Sequence, residues 1–256
     1  MEGRVIFNKK LNEKYYLMEI ESDEFVKDAK PGQFMMVKPQ QYDYLFEPLL
    51  RRPFGICNVI GSRFQILYIL IGKGTNLLSN VKSDTLIQFS PPLGNFFKVH
   101  DEKKVAITGG GVGIAPMLYW SKILKNKGVS VDLFYGGKTA EDILMLEEFR
   151  KYCDQIFITT EDGSIGYKGF ISDVYSEHIL NYERAYACGP KKMLEVLTKI
   201  SLSKNVKIDV SLDERMACGM GACLGCLIYT KNIHGDIEQK RCCVEGPIFN
   251  GAEIVW

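Results

Sequence analysis

Through residues 1–99 the apolar positions come in short runs: VIFNKKL, YYLMEIES, PGQFMMVKP, FQILYILIG and DTLIQFSPPLG, with turn-forming residues between them. Short β-rich runs punctuated in this way predict an antiparallel β-barrel or sandwich. After His100 the texture changes. KKVAITGGGVGIAPMLYWSKILKNKG reads as strand, glycine turn and helix, and SVDLFYGG as a further strand. AEDILMLEEFRKY reads as a helix, because Ile143, Leu146 and Phe149 recur near helical spacing with acids early in the run. QIFITTED, GFISDVYSEHI, RAYACGP and KKMLEVLTKIS continue the alternation of strand and helix, which predicts a doubly wound parallel sheet. From residue 211 onward the pattern returns to short strands and loops, too few to build a core unaided. A bound metal centre would stabilise such a piece. The expected organisation is therefore a β-barrel domain over 1–99, an α/β domain over 100–210 and a small terminal module over 211–256.

Composition narrows the function. The 256 residues are 46% apolar, carry a formal net charge of +1 and show no long basic run, so neither nucleic acid nor an anionic membrane surface is an expected partner. No apolar run approaches a membrane span, and MEGRVIFNKK lacks the sections of a secretory signal, so a cytoplasmic location is expected. In that compartment eight cysteines are poor candidates for four disulfides. Five of the eight lie between 218 and 243, and such clustering points to a metal or redox centre.

Cys218, Cys223 and Cys226 have the spacing C-x4-C-x2-C of plant-type [2Fe–2S] sites. The small residues between them let the backbone wrap a cluster and aim its N–H groups at sulfur. A zinc site would more often show two C-x2-4-C pairs, whereas here one thiol precedes a single CxxC pair. The fourth thiolate would come from Cys242 or Cys243, brought back by a hairpin around KNIHGD. On a strand the two would face opposite sides, and spacing alone does not choose between them. Cys57, Cys153 and Cys188 read as apolar fillers, although Cys188, ahead of Gly189 at the carboxyl end of a strand, would also stand close to a nicotinamide ring.

The turn Gly109-Gly110-Gly111-Val112-Gly113-Ile114-Ala115-Pro116 lies between a strand and a helix, where a dinucleotide pyrophosphate meets backbone N–H groups. Pro116 replaces the third glycine of the usual fingerprint and is well placed in a helix's first turn. In the first part of the chain, Arg52 offers a planar donor fork to a phosphate, and the small residues around Gly74 and Thr75 could admit a pyrophosphate.

In this order the pieces resemble the ferredoxin–NADP reductase superfamily and, more closely, the electron-transfer subunits of type B dihydroorotate dehydrogenase. Arg51-Arg52-Pro53-Phe54-Gly55 resembles the family's RRPxS flavin motif, Gly72 to Ser79 its GxGTxxLS, and Pro92 to Phe96 its PLGNGF. Gly111 to Pro116 resembles its GxGxxP NAD loop, Tyr135 to Lys138 its YGAR, Glu161 to Gly169 its DGSxGxKG, and Ala187 to Leu194 its ACGPxxML. The cysteine run followed by Cys243-Val244-Glu245-Gly246-Pro247 resembles CGxGxCxGC…CxDGP, and this match selects Cys243 over Cys242. Gly55 departs from the family's Ser or Thr, and the interval before the fourth cysteine is longer than usual.

The resemblance implies FAD at Arg52, Pro53, Phe54, Gly55, Leu67, Tyr68, Ile69, Gly74 and Thr75. It implies NAD(H) at Gly111, Gly113, Pro116, Cys188 and Gly189, and a [2Fe–2S] cluster on Cys218, Cys223, Cys226 and Cys243. The implied function is a relay from NADH through FAD and the cluster to an FMN-containing catalytic subunit, in a heterotetramer with two copies of each chain. No catalytic acid or base is expected of this chain. The competing readings are a related subunit of another complex, of bifurcating ferredoxin–NADP reductase or sulfhydrogenase type, and a zinc-stabilised binding module.

Overall fold

The computed structural model describes residues 1–39 and 47–256. The first part carries β1 (Glu2–Lys10), β2 (Tyr15–Glu21), α1 (Asp23–Asp28), β3 (Phe34–Val37), β4 (Arg52–Gly55), β5 (Asn58–Ile60), β6 (Arg63–Ile69), α2 (Lys73–Ser79) and β7 (Leu86–Gln88). The strands form an antiparallel sheet in the order β5-β6-β2-β1-β7, faced by the β3–β4 pair. Single bridges, Val37 to Phe89 and Phe34 to Leu93, tie β3 to the segment that follows β7. Phe25, Phe64 and Phe89 pack together in the core here, tilted or edge to face, with ring centroids 4.2–5.4 Å apart.

The second part contains β8 (Lys104–Gly110), α3 (Ala115–Asn126), β9 (Ser130–Gly137), α4 (Leu146–Phe149), β10 (Gln155–Thr160), β11 (Tyr167–Lys168), α5 (Ile171–His178), β12 (Arg184–Cys188), α6 (Lys191–Ser203) and β13 (Lys207–Ser211). Its sheet runs β11-β10-β9-β8-β12-β13 with parallel pairing. Val105 to Gly110 of β8 is buried without interruption, as a central parallel strand covered on both faces must be. Two short helices, α1 and α2, interrupt the strands expected of residues 1–99, and the helix expected over AEDILMLEEFRKY is cut short. Only Leu146–Phe149 is α-helical, and Met145 adopts φ 53°. The buried Tyr135 hydroxyl accepts the Leu144 N–H at 2.8 Å and donates to the Asp142 carbonyl at 2.9 Å. This tertiary bond takes the place of a helical turn.

The terminal part supplies the hairpin β14 (Leu227–Lys231) and β15 (Ile237–Arg241), then β16 (Ile248–Asn250). β16 adds to the large sheet antiparallel to β13. Buried clusters cross between the parts. Tyr15, Cys57, Leu67 and Phe97 pack with Val105, Trp120 and Tyr135, while Phe34 and Met36 pack with Cys226, Cys242, Cys243 and Phe249.

A single side chain closes this arrangement. Asn95 donates to the carbonyls of Glu245 (2.9 Å) and Ile248 (2.8 Å) and accepts the Ile248 N–H (2.9 Å), while its own N–H bonds the Gly246 carbonyl at 2.6 Å. Leaving a buried polar group without its partner costs about 1–3 kcal/mol. Asn95→Ala is therefore expected to lower unfolding stability by about 2–4 kcal/mol, read as a drop in urea midpoint at unchanged slope.

Candidate functional site

The chain between β13 and β14 has no regular structure and curls around its own sulfurs. Gly219 and Gly221 take φ of 72° and 83°, and Leu224 takes φ 56°. A side chain at Gly219 would be strained there, and its first carbon would also lie 2.5 Å from Met36 Cγ. Backbone N–H groups point at three sulfurs: Met220 to Cys218 at 3.5 Å, Gly225 to Cys223 at 3.4 Å, and Cys243 to Cys226 at 3.4 Å. The Met220 N–H, followed by the N–H and thiol of Cys223, lowers the Cys218 thiol to about 6. Burial, then the neighbouring Cys226, raises Cys243 to about 11.

The Cys218 thiol lies within reach of Cys223, and the Cys243 thiol within reach of Cys226. Cys242 and Cys243 lie in the turn after β15 rather than on it, yet they still diverge. Cys242 is fully buried and donates to the Leu212 carbonyl at 3.5 Å, and burial pushes its thiol far up.

The glycine turn joins β8 to α3 at the carboxyl ends of the parallel strands, where open α/β sheets bind ligands. Its contacts explain its composition. A side-chain carbon at Gly113 would lie 2.6 Å from Gly189 Cα and 2.7 Å from the Cys188 carbonyl, so the turn and the Cys188-Gly189 segment need each other's small size. Cys188 is 6% exposed, and burial raises its thiol to about 12, which makes it an uncharged wall rather than a nucleophile. Cys57 and Cys153 are likewise raised to about 12 by burial, as apolar fillers are.

β4 brings the flavin-type motif to the same place. A side-chain carbon at Gly55 would lie 3.8 Å from Pro116 Cδ, an ordinary contact, so this strand meets the start of α3 with room for the Ser or Thr that the resemblance leads one to expect. β4 pairs with β3 through Met36 opposite Pro53, and Met36 in turn touches Gly219 of the cysteine loop. The Arg52 guanidinium lies over the start of α2, where a carbon at Gly74 would approach its Nε to 2.9 Å, and it donates to the Leu50 carbonyl at 2.7 Å. A pocket of about 420 Å³ opens there, lined by Glu47, Pro48, Leu49, Leu50, Arg52 and Lys73. The Thr75 hydroxyl is engaged in its own turn, accepting the N–H groups of Ile71 (3.0 Å) and Gly72 (3.3 Å). Tyr68 donates to Asn8 at 2.8 Å and sets its ring against Phe54, with centroids 5.8 Å apart. Leu67 and Ile69 pack on the opposite side of β6 from Tyr68, against the shared core. Two positions that matter here, Met36 and Asn95, carried no sign of their contacts in the sequence. Asn95 lies inside the Pro92–Phe96 run that resembles PLGNGF.

Comparison with known proteins agrees with this geometry. Residues 213–255 match the iron–sulfur cluster binding domain of dihydroorotate dehydrogenase B, and residues 107–199 match an oxidoreductase NAD-binding domain. The chain is 37% identical to the dihydroorotate dehydrogenase B (NAD(+)) electron transfer subunit of Caldanaerobacter subterraneus subsp. tengcongensis, over all of this chain and 98% of that one. It is 38% identical to the corresponding subunit of Clostridium acetobutylicum, over 98% of this chain and 96% of that one. The chain belongs to the family of dihydroorotate dehydrogenase B electron transfer subunits.

Among solved structures, an NADH-dependent reduced ferredoxin–NADP oxidoreductase superposes with a TM-score of 0.86 at 29% identity, over 99% of this chain and 90% of that one. The FAD/NAD binding domain of a Vibrio cholerae nitric oxide dioxygenase shares the fold, with a TM-score of 0.71 at 19% identity over 83% of this chain and 98% of that one. The fold is thus that of the ferredoxin–NADP reductases, and the full-length relatives favour the dihydroorotate dehydrogenase reading over a subunit of another complex.

The two cysteines of the last turn are separable by experiment. Cys243→Ser, purified anaerobically, is expected to lose most of its visible iron–sulfur absorption. Cys242→Ser is expected to keep it and to lose about 1–3 kcal/mol of stability, through a polar group placed in an apolar site. An intact spectrum in the first variant with loss in the second would reverse the assignment.

Proposed function

We propose that this chain draws electrons from NADH and delivers them to the FMN of a separate catalytic subunit that interconverts dihydroorotate and orotate. Bound FAD would accept a hydride from NADH, and the [2Fe–2S] cluster would carry the electrons onward singly. The observation that carries this reading is the meeting of three segments. Gly55 of the flavin-type motif faces Pro116 of the dinucleotide turn, and Met36, opposite Pro53 on the neighbouring strand, touches Gly219 of the cysteine loop.

In this reading Arg52 holds the FAD pyrophosphate with a charge-assisted fork, and Gly74, having no side chain, leaves room for that guanidinium. Thr75 shapes the same turn through its hydroxyl. Pro53, Phe54 and Gly55 present an extended edge to the flavin ring, backed by Leu67, Tyr68 and Ile69 of β6. At Gly55 a backbone N–H stands in for the family's hydroxyl. Gly111, Gly113 and Pro116 accommodate the NAD(H) pyrophosphate, and Cys188 with Gly189 forms the wall against the nicotinamide. Cys218, Cys223, Cys226 and Cys243 hold the cluster, and the N–H bonds to three of their sulfurs stabilise its negative charge.

The partner contact follows from the route the electrons take. Met220 and Leu224 are 72% and 56% exposed on the cysteine loop, with Val244 beside them at 42%, and together they offer an apolar rim for docking. The working assembly is two copies of this chain with two catalytic subunits, in the cytoplasm. No helix among the described residues is long and apolar enough to cross a membrane.

With NADH alone the isolated chain is expected to reduce artificial electron acceptors and to leave orotate untouched. Orotate reduction should appear only when the FMN subunit is added, and turnover of orotate by the single chain would overturn the division of labour. Arg52→Ala is expected to weaken FAD binding roughly tenfold to more than a hundredfold, as loss of a charge-assisted bond implies. Flavin content after dialysis measures this directly.

A further inference from the structure

One buried bond crosses from the first sheet to the carboxyl end of β9 and plays no part in the reading above. Tyr15, 3% exposed at the start of β2, donates its hydroxyl to Asp142 Oδ1 at 2.9 Å. The other oxygen of that carboxylate accepts the N–H groups of Lys138 (3.0 Å) and Thr139 (3.3 Å), which form the turn leaving β9. Around it Asn12 donates to the Glu141 carbonyl at 2.8 Å, and Lys14 pairs with Glu141 at 3.4 Å. The stretch 12–15 thus grips the stretch 138–142.

Each end of this latch leads to a cofactor segment. Tyr15 lies opposite Ile69 in the β2–β6 pairing, and Tyr16 lies opposite Tyr68, so β2 backs the strand assigned to the flavin. On the other side β9 pairs with β8 through Gly109 opposite Tyr135 and Gly110 opposite Gly136, which is where the dinucleotide turn begins. The Tyr15 hydroxyl also comes within 3.8 Å of the point where a side chain at Gly111 would start. Gly111 takes φ 55° and has no other atom within 4 Å of that point, so its outer face is open toward the crevice.

We infer that Tyr15 is a positioning residue: its bond to Asp142 fixes the dinucleotide turn relative to the flavin-bearing strand, and so sets the approach of the nicotinamide to the flavin ring. The inference rests on the cofactor assignment proposed above. It differs from a merely structural role because an error in placement shows in the hydride step rather than in folding or affinity.

The test compares Tyr15→Phe and Asp142→Ala with the parent chain, each carrying FAD and cluster, in anaerobic stopped-flow mixing with NADH. The expected result is a fall in the limiting rate of flavin bleaching of roughly ten- to a hundredfold, the scale of a misplacement near 1 Å. NADH dissociation should change by less than about threefold, under half a tenfold step in binding free energy. The long-wavelength absorbance of the NADH–flavin stack should weaken, with cluster absorption retained. The double variant should be no slower than Asp142→Ala alone, because that variant already removes the bond Tyr15 makes. An unchanged limiting rate in Tyr15→Phe, or a loss confined to NADH affinity or to melting temperature, overturns the inference. If NADH fails to bleach the parent chain, the cofactor assignment itself falls, and the inference falls with it.

Discussion

The molecule depends on how the Asn95 side chain meets the chain just beyond Cys243. Its amide satisfies the carbonyls of Glu245 and Ile248 and the N–H of Ile248, on the stretch that leads from the turn after β15 into β16. Backbone groups in such a place must be paired by something, and a side-chain amide offers donors and an acceptor together. The contact has consequences in both directions along the chain. Toward the carboxyl end it delivers β16 to β13, where Val210 pairs with Phe249. Toward the amino end it holds the turn in which Cys243 faces Cys226 while Cys242 turns into the core.

Around that clamp the working parts are brought together by small residues. Gly113 against Gly189 and Gly219 against Met36 are close approaches of different stretches of chain, and in both a methyl group would collide. Such contacts let these segments lie nearer one another than ordinary side chains permit. The cysteine loop shares its buried cluster with Phe34 and Met36, so it is part of one packed body rather than an appendage tied on by metal alone.

Much of the site was legible before folding. The C-x4-C-x2-C spacing, the Gly111–Pro116 turn and the strand–helix alternation are local patterns, each imposed by chemistry that acts over a few residues: thiolate convergence, backbone exposure to an anion, and the period of a buried strand or helix. The segment Ala140–Tyr152 was not legible, because its apolar spacing suits a helix while Tyr135, a residue outside the segment, takes the Leu144 N–H and breaks the run.

The amino-acid sequence by itself therefore determined the kinds of elements, their order, and which residue types could meet iron, flavin and dinucleotide. It left Cys242 and Cys243 equivalent by spacing, since adjacent residues differ only in the direction they face. That direction was decided by the tertiary structure, through a turn that buries one sulfur beside the Leu212 carbonyl and sets the other beside Cys226. The contacts made by Tyr15, Met36 and Asn95 were decided there too. Each joins positions far apart in the chain, and no local pattern records a distance that only packing creates.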